Sequence, residues 1–198
     1  MISNLIFENY NRHKHDKQTI ANLIFESDVE MNSLVYGNDP IRVITNLLSI
    51  PQTYFLEQYT TLALLGDRIV GVLVAYPASK RAEIDKLAGQ GMMKSMGFFT
   101  FLRKTPFFMR MAKMLGGEID NDGLYIHTLC VDGEVRGQSI GSKLIQYLNE
   151  INPKMYLYVN ADNHAAIRFY EKNGFKKKFH GTMKHQGQVL GEFLMERK

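Results

Sequence analysis

One cysteine, Cys130, is the whole supply in 198 residues, which excludes an internal disulfide framework and any multi-cysteine metal site. A reducing compartment is the simplest home for such a chain. No apolar run approaches the roughly 18 residues that a membrane span needs. Residues 1–15 hold only a short apolar stretch with Glu8 close behind, so they lack the charged head and long apolar centre of a secretory signal. The expectation is a cytoplasmic protein. A strong charge of one sign is also missing. The net charge of +4 and pI of about 9.0 suit an anionic ligand but fall short of a nucleic-acid binder's gathered basic stripe, so no nucleic-acid partner is expected. Internal repeats and low-complexity linkers are absent, and residues 1–198 are read as one domain that uses no metal.

What is present is an ordinary globular composition, 45% hydrophobic and 22% charged, enough to bury a core. Residues 5–10 predict a first strand. Asp16 then predicts the cap of a helix carrying Ile20, Leu23 and Ile24 on one face. A second helix is expected over Val29–Tyr36, stopping at Gly37. A third follows the Asp39-Pro40 pair, with Ile41, Ile44, Leu47 and Leu48 as its apolar face. His13 and His15 fall in a charged stretch and read as solvated. Residues 59–65 and 68–76 are β-rich runs around Gly66-Asp67, a two-residue hairpin signal.

Residues 78–117 form a basic helical insert rich in methionine and phenylalanine. Phe108, Met111 and Leu115 recur at helical spacing, as expected of a helix docked on the core. The same soft apolar residues would also suit a lid over a substrate, or a surface contact with a membrane through residues 92–115.

The chain returns through a strand, Leu124–Val131, to the stretch VDGEVRGQSIG and then a helix with Ile140, Leu144, Ile145, Leu148 and Ile151 on one face. A helix starting just after a glycine-containing turn offers unpaired N–H groups and the positive end of its dipole to an anion. Gly137 and Gly141 let the backbone approach closely, and Arg136 adds a cation. A short strand over residues 155–159 completes a βαβ unit. Asn163 predicts the cap of a last helix that ends at Asn173-Gly174, and a hairpin around residues 185–187 closes the chain.

Two stretches resemble signatures of the GNAT superfamily of acyl-CoA-dependent N-acyltransferases. Arg136-Gly137-Gln138-Ser139-Ile140-Gly141 is similar to that family's Q/R-x-x-G-x-G/A cofactor signature, with Ser139 standing where the signature has its first glycine. Asn163, Ala166, Tyr170, Gly174 and Phe175 resemble its N-x-x-A-x-x-x-Y-x-x-x-G-F run. The resemblance implies an α/β (α+β) fold with a central mixed, mostly antiparallel sheet. Its one parallel pair would splay at the centre, opening a gap between Leu129 and Tyr158. Helices would flank both faces, and the insert would lie between the third and fourth strands.

It also implies acetyl-CoA as co-substrate. The cofactor-binding set would be Leu129, Cys130, Val131, Arg136, Gly137, Gln138, Ser139, Ile140, Gly141, Ser142, Asn163 and Tyr170. The amides from Gln138 to Ser142 would cradle the pyrophosphate. Tyr170 resembles the family's general acid. His127 is the candidate base: strand alternation puts it on the face of Val131, with Cys130 opposite as a small core residue, and aralkylamine N-acetyltransferases place a histidine at a similar spacing. The expected partner is a small-molecule amine acceptor. The alternative is a catalytically idle module of the same fold that binds CoA or a partner through the insert. Family members often pair, so a homodimer is a further expectation of the resemblance.

Overall fold

The computed structural model describes residues 4–198. Seven strands form one sheet in the order β1-β2-β3-β4-β5-β7-β6. β1 (Leu5–Asn9), β2 (Thr60–Leu65), β3 (Arg68–Pro77) and β4 (Leu124–Val131) pair antiparallel in turn. β4 meets β5 (Met155–Asn160) in parallel, and β5 pairs antiparallel with β7 (Gln188–Arg197), which pairs with β6 (Lys176–His185).

Helices α1 (Lys17–Ser27), α3 (Pro40–Ser49) and α4 (Arg81–Met96) cover one face of the sheet, where Ile20, Ile44, Leu47 and Leu48 pack on Val72, Val74 and Tyr76. α6 (Ile140–Ile151) and α7 (His164–Lys172) cover the other, packing Ile140, Leu144, Ile145 and Ile167 on Leu73, Ile126, Leu157 and Met195. Each such side chain taken from water contributes about 1.5–3 kcal/mol before the entropy of ordering is subtracted.

The caps fall where polar side chains precede apolar periodicity. Asp16 accepts from the Gln18 and Thr19 amides, and Asp28 caps α2 (Val29–Tyr36) through Met31 N–H. Asp39 caps α3, whose Pro40 opens the first turn. Among the described residues no helix is long and apolar enough to cross a membrane.

Several expectations need correction. The first strand stops at Asn9, because Tyr10 turns inward and donates its hydroxyl to the Leu48 carbonyl at 3.0 Å. Val43 rather than Ile41 joins the fully buried face of α3. Ile151, the last residue of α6, is 61% exposed instead of joining that helix's apolar face. His15 is not solvated: its Nε2 lies 2.6 Å from Glu8 Oε1, and its ring packs near Tyr10. The final turn needs only Gln186 and Gly187, both at positive φ.

The insert is two helices, α4 and α5 (Phe98–Met114), broken at Gly97 with φ +86°. Lys104 of α5 bonds to the Leu34 carbonyl, and Phe107 and Met114 seat the helix on Met183 and Leu190 of the last hairpin. The buried anchors are therefore one register step away from the expected Phe108, Met111 and Leu115. Those three do pack against the same cluster, as expected, but are only partly buried and also line a cavity. Phe98, Phe99, Leu102 and Met109 remain exposed along the outer side.

Candidate active site

The site lies where β4 and β5 part. Their parallel ladder runs from Leu124↔Met155 to Ile126↔Leu157 and stops there, which produces the expected gap between Leu129 and Tyr158. The separation begins at a β-bulge. Val74 pairs with Thr128 and Ala75 with Ile126, so His127 is the extra residue in β4.

The bulge overturns the face assignment made by simple alternation. Beyond it, Cys130 opposes Val72 and joins the core under α1 and α3, whereas Leu129 and Val131 turn to the α6 side. His127 stacks on Tyr54 at 4.4 Å and packs near Tyr76, so it shares its face with Cys130 and not with Val131. An inserted residue shifts every later side chain by one step, which period-two counting cannot anticipate.

After Val131 a short turn leads through Arg136, whose Nε donates to the Val131 carbonyl at 2.8 Å. Gly137 has φ +80° with open space around it, so conformation alone explains that glycine. Ser139 follows at φ +63° as the N-cap of α6 and makes no side-chain cap bond. The position is left-handed, as a glycine there would favour, and serine holds it at a cost of about 1 kcal/mol. Gly141 answers a different demand: a Cβ there would lie 3.0 Å from the Phe169 ring, so its absence lets α6 and α7 close together. Ile140 is buried at 1% exposure and presents only its backbone. The first amides of α6 have no intrahelical acceptor and point out of the helix end, a donor set suited to a phosphate.

Two cavities flank this centre. The smaller, of about 420 Å³, is lined by Leu129, Cys130, Val131, Arg136, Gly137, Ser139, Ile140, Gly141, Ser142, Asn163 and Tyr170. Gln138, exposed on the turn, does not line it. The larger, of about 510 Å³, runs under α5 between Tyr54, Arg81, His127, Phe108, Met111, Tyr158 and Glu192. Leu129, Asn163, Ala166 and Tyr170 line both, so the two spaces adjoin at the Tyr170 side chain.

Electrostatics at the junction follow from burial. Tyr170 is 8% exposed, and desolvation, reinforced by Cys130, holds its phenol protonated well above the usual range. Burial, with Arg136 opposing, pushes the Cys130 thiol up to about 11, leaving it unreactive. His127 lines the cavity wall half-buried, and loss of solvent, then the nearby Arg81, pushes it down to about 4. Its Nδ1 lies 2.8 Å from Thr128 Oγ1. Asn163 caps α7 by accepting Ala166 N–H at 3.0 Å, which fixes its position at the junction.

The residue that sequence reasoning missed is Glu192. It sits on β7 between the inward Leu190 and Leu194, and burial next to Asp28 and Glu30 pushes its carboxyl up to about 8. A charge at an inward position of an alternating strand was the available signal. Among the described residues no group of three or more His, Cys, Asp or Glu side chains is arranged to hold a metal.

The sequence model of the Acetyltransferase (GNAT) family matches residues 47–175. The peptidyl-lysine N-acetyltransferase YjaB of Salmonella typhimurium is 39% identical over 54 residues, which are 27% of this chain and 37% of that protein. The likeness thus spans little more than a third of that relative. Among solved structures, an N-acetyltransferase from Staphylococcus aureus superposes with a TM-score of 0.65 at 16% identity, covering 96% of this chain and 99% of the other. The PaiA N-acetyltransferase of Thermoplasma acidophilum, solved in complex with coenzyme A, gives 0.54 at 15% identity, covering 99% of each chain.

Proposed function

The chain belongs to the acetyltransferase (GNAT) family, and on that footing we propose that it is an acetyl-CoA-dependent N-acetyltransferase acting on a primary amine of a small molecule by direct attack in a ternary complex. The observation that carries this reading is the pair of cavities adjoining at Tyr170, one bordered by the free helix end and the other lined on one side by α5.

Acetyl-CoA supplies an activated acetyl thioester. The amides from Ser139 to Ser142 and the Arg136 guanidinium suit its pyrophosphate. The β4 edge at Leu129 and Val131, freed by the splay, offers main-chain groups to an extended arm. In the transfer the amine nitrogen forms the new N–C bond as the C–S bond breaks. Tyr170 gives its phenolic proton to the departing thiolate, and is reprotonated from solvent. His127 passes the proton that the amine loses on to solvent, acting as a neutral relay because desolvation makes it too weak a base to store one. Cys130 takes no covalent part.

A small acceptor follows from the size of the site. Phe101, Phe108, Met111 and Leu115 line the larger cavity on its α5 side, and its volume is typical of small-ligand sites. Tyr170→Phe tests the scheme: turnover should fall by about 100-fold while acetyl-CoA affinity stays within about twofold. Unchanged turnover would remove Tyr170 from the acid role.

The exposed strip of Phe98, Phe99, Leu102 and Met109 favours a second reading, a catalytically idle module that binds CoA and uses its insert as a contact surface, for a second copy or for a membrane. Bound acetyl-CoA with no thiol release across a broad amine panel would select it.

A further inference from the structure

The larger cavity holds a carboxyl group that the transfer scheme leaves unused. Glu192 is 5% exposed and lines the cavity from β7, on the face turned toward α2 and α5. Among the described residues it has neither a hydrogen-bond donor nor a cation for its carboxylate. What faces it is further negative charge, neutral phenols and one amide: Asp28 and Glu30 at the start of α2, Tyr125 of β4, Tyr158 of β5, and its cross-strand partner Asn160, whose Nδ2 donates to Glu30 at 3.4 Å. Asp28 lines the same cavity while capping α2. The cavity's own cation, Arg81, is engaged elsewhere. It donates to the Leu115 carbonyl at 3.3 Å, lies 3.9 Å from Asp85 and sits over the Tyr125 ring.

A buried carboxylate with no partner is costly to retain, and a cation delivered by a ligand removes that cost. The rest of the wall is soft and apolar, built from Met31, Val35, Met92, Phe101, Phe108 and Met111. An engineered cavity of about 150 Å³ already admits benzene. The 510 Å³ available here therefore takes a ring and a short chain with room to spare.

We propose that Asp28 and Glu192 receive the acceptor as its ammonium, that Glu192 takes one of its protons to free the lone pair for attack, and that the Met and Phe wall takes its apolar body, so that the enzyme's substrates are small lipophilic amines rather than protein lysines or open-chain diamines. This rests on the N-acetyltransferase reading above. Ser27, next to Asp28, lines both cavities, which brings the carboxylate end of the pocket close to the transfer point. Because Glu192 stays protonated up to about pH 8, seating a cation beside it expels that proton, and amine affinity climbs as pH rises toward 8.

Calorimetric titration separates the possibilities. Acetyl-CoA is titrated first; failure to bind would defeat the proposed function itself. CoA-loaded protein is then titrated with 2-phenylethylamine, 2-phenylethanol, 1,4-diaminobutane and a lysine-containing peptide. The expected result is binding of 2-phenylethylamine at least tenfold tighter than the other three, with a heat that depends on the buffer's ionisation enthalpy because a proton is released. Glu192→Gln should weaken that binding at least tenfold and leave acetyl-CoA affinity unchanged. Asp28→Asn, which preserves the helix cap, should weaken it by a smaller factor, and supplies the test should the first variant fold poorly. The subsite is overturned if 2-phenylethylamine does not bind, if the peptide or the diamine binds equally well, or if neither carboxylate variant alters its affinity.

Discussion

Replacing Glu192 with glutamine tests the electrostatics of the pocket without any ligand. Burial and the adjacent Asp28 and Glu30 raise the carboxyl from 4.5 to about 8 in the folded protein. Below pH 4.5 both folded and unfolded chains carry the proton, and Glu192 adds no pH dependence. Between 4.5 and 8 the unfolded chain has released the proton while the folded one still binds it. Stability therefore falls as pH rises through that window and levels off above it. At about 1.4 kcal/mol for each pH unit, the loss summed over the window is about 3–5 kcal/mol.

The glutamine side chain matches the neutral acid in size and cannot ionise, so its own cost is the same at every pH. The difference in unfolding free energy between variant and wild type should then shift by about 3–5 kcal/mol in the variant's favour from pH 5 to pH 8.5. Urea unfolding followed by far-ultraviolet circular dichroism measures it, since the chain has no tryptophan to report by fluorescence. Taking the difference cancels every other group except those coupled to Glu192, chiefly Asp28 and Glu30. Parallel stability curves for the two proteins would show that the carboxylate is solvated or paired, and the reasoning about the pocket would fail with it.

Other substitutions probe the cradle and the core. Ser139→Gly relieves a left-handed serine that forms no cap bond, and should raise stability by about 0.5–1 kcal/mol, while Ser139→Ala should not; thermal denaturation distinguishes them. Gly141→Val drives side-chain atoms into Phe169 and should cost about 1–3 kcal/mol, with acetyl-CoA affinity falling as α6 and α7 separate; titration and unfolding curves report the two effects independently. Leu144→Ala, at a fully buried site between α6 and the sheet, should cost about 2–5 kcal/mol by the same unfolding measurement.

How much of this was legible in the sequence depended on whether the deciding interaction was local. The caps at Asp16, Asp39 and Asn163 and the turn at Gly66 are set by neighbours in the chain, and each lies where its residues predict. The βαβ unit and the parting of its strands follow from the resemblance in residues 124–175, a stretch where glycine, charge and periodicity agree. The α5 face was legible only in part, because its fully buried anchors, Phe107 and Met114, are selected by Met183 and Leu190, some 70 residues further on. Helical spacing alone rates Phe108 and Met111 just as highly.

The candidate site fails to read from sequence for the same reason, at a finer scale. The bulge at His127 arises because β3 and β4 are out of step by one residue, a property of the pair rather than of either strand. That single inserted residue puts Cys130, a core residue as expected, on the same face as His127 and turns Val131 away. Counting by alternation therefore exchanged the faces of every residue beyond it. His127 looked like a poised base because its spacing resembles a base position, yet the stacking on Tyr54 and the loss of solvent that lower its pKa come from distant segments.

Glu192 shows the converse. Its chemistry, also set by distant groups, was flagged locally by a charge between two inward leucines. Where a strand pattern calls for an apolar residue and supplies a carboxylate, the fold has accepted a desolvation cost, and the compensating partner is either another side chain or a ligand. Here the described side chains nearest to Glu192 are acidic or neutral, so the carboxyl keeps its proton, and the cationic ligand proposed above is the partner that would release it.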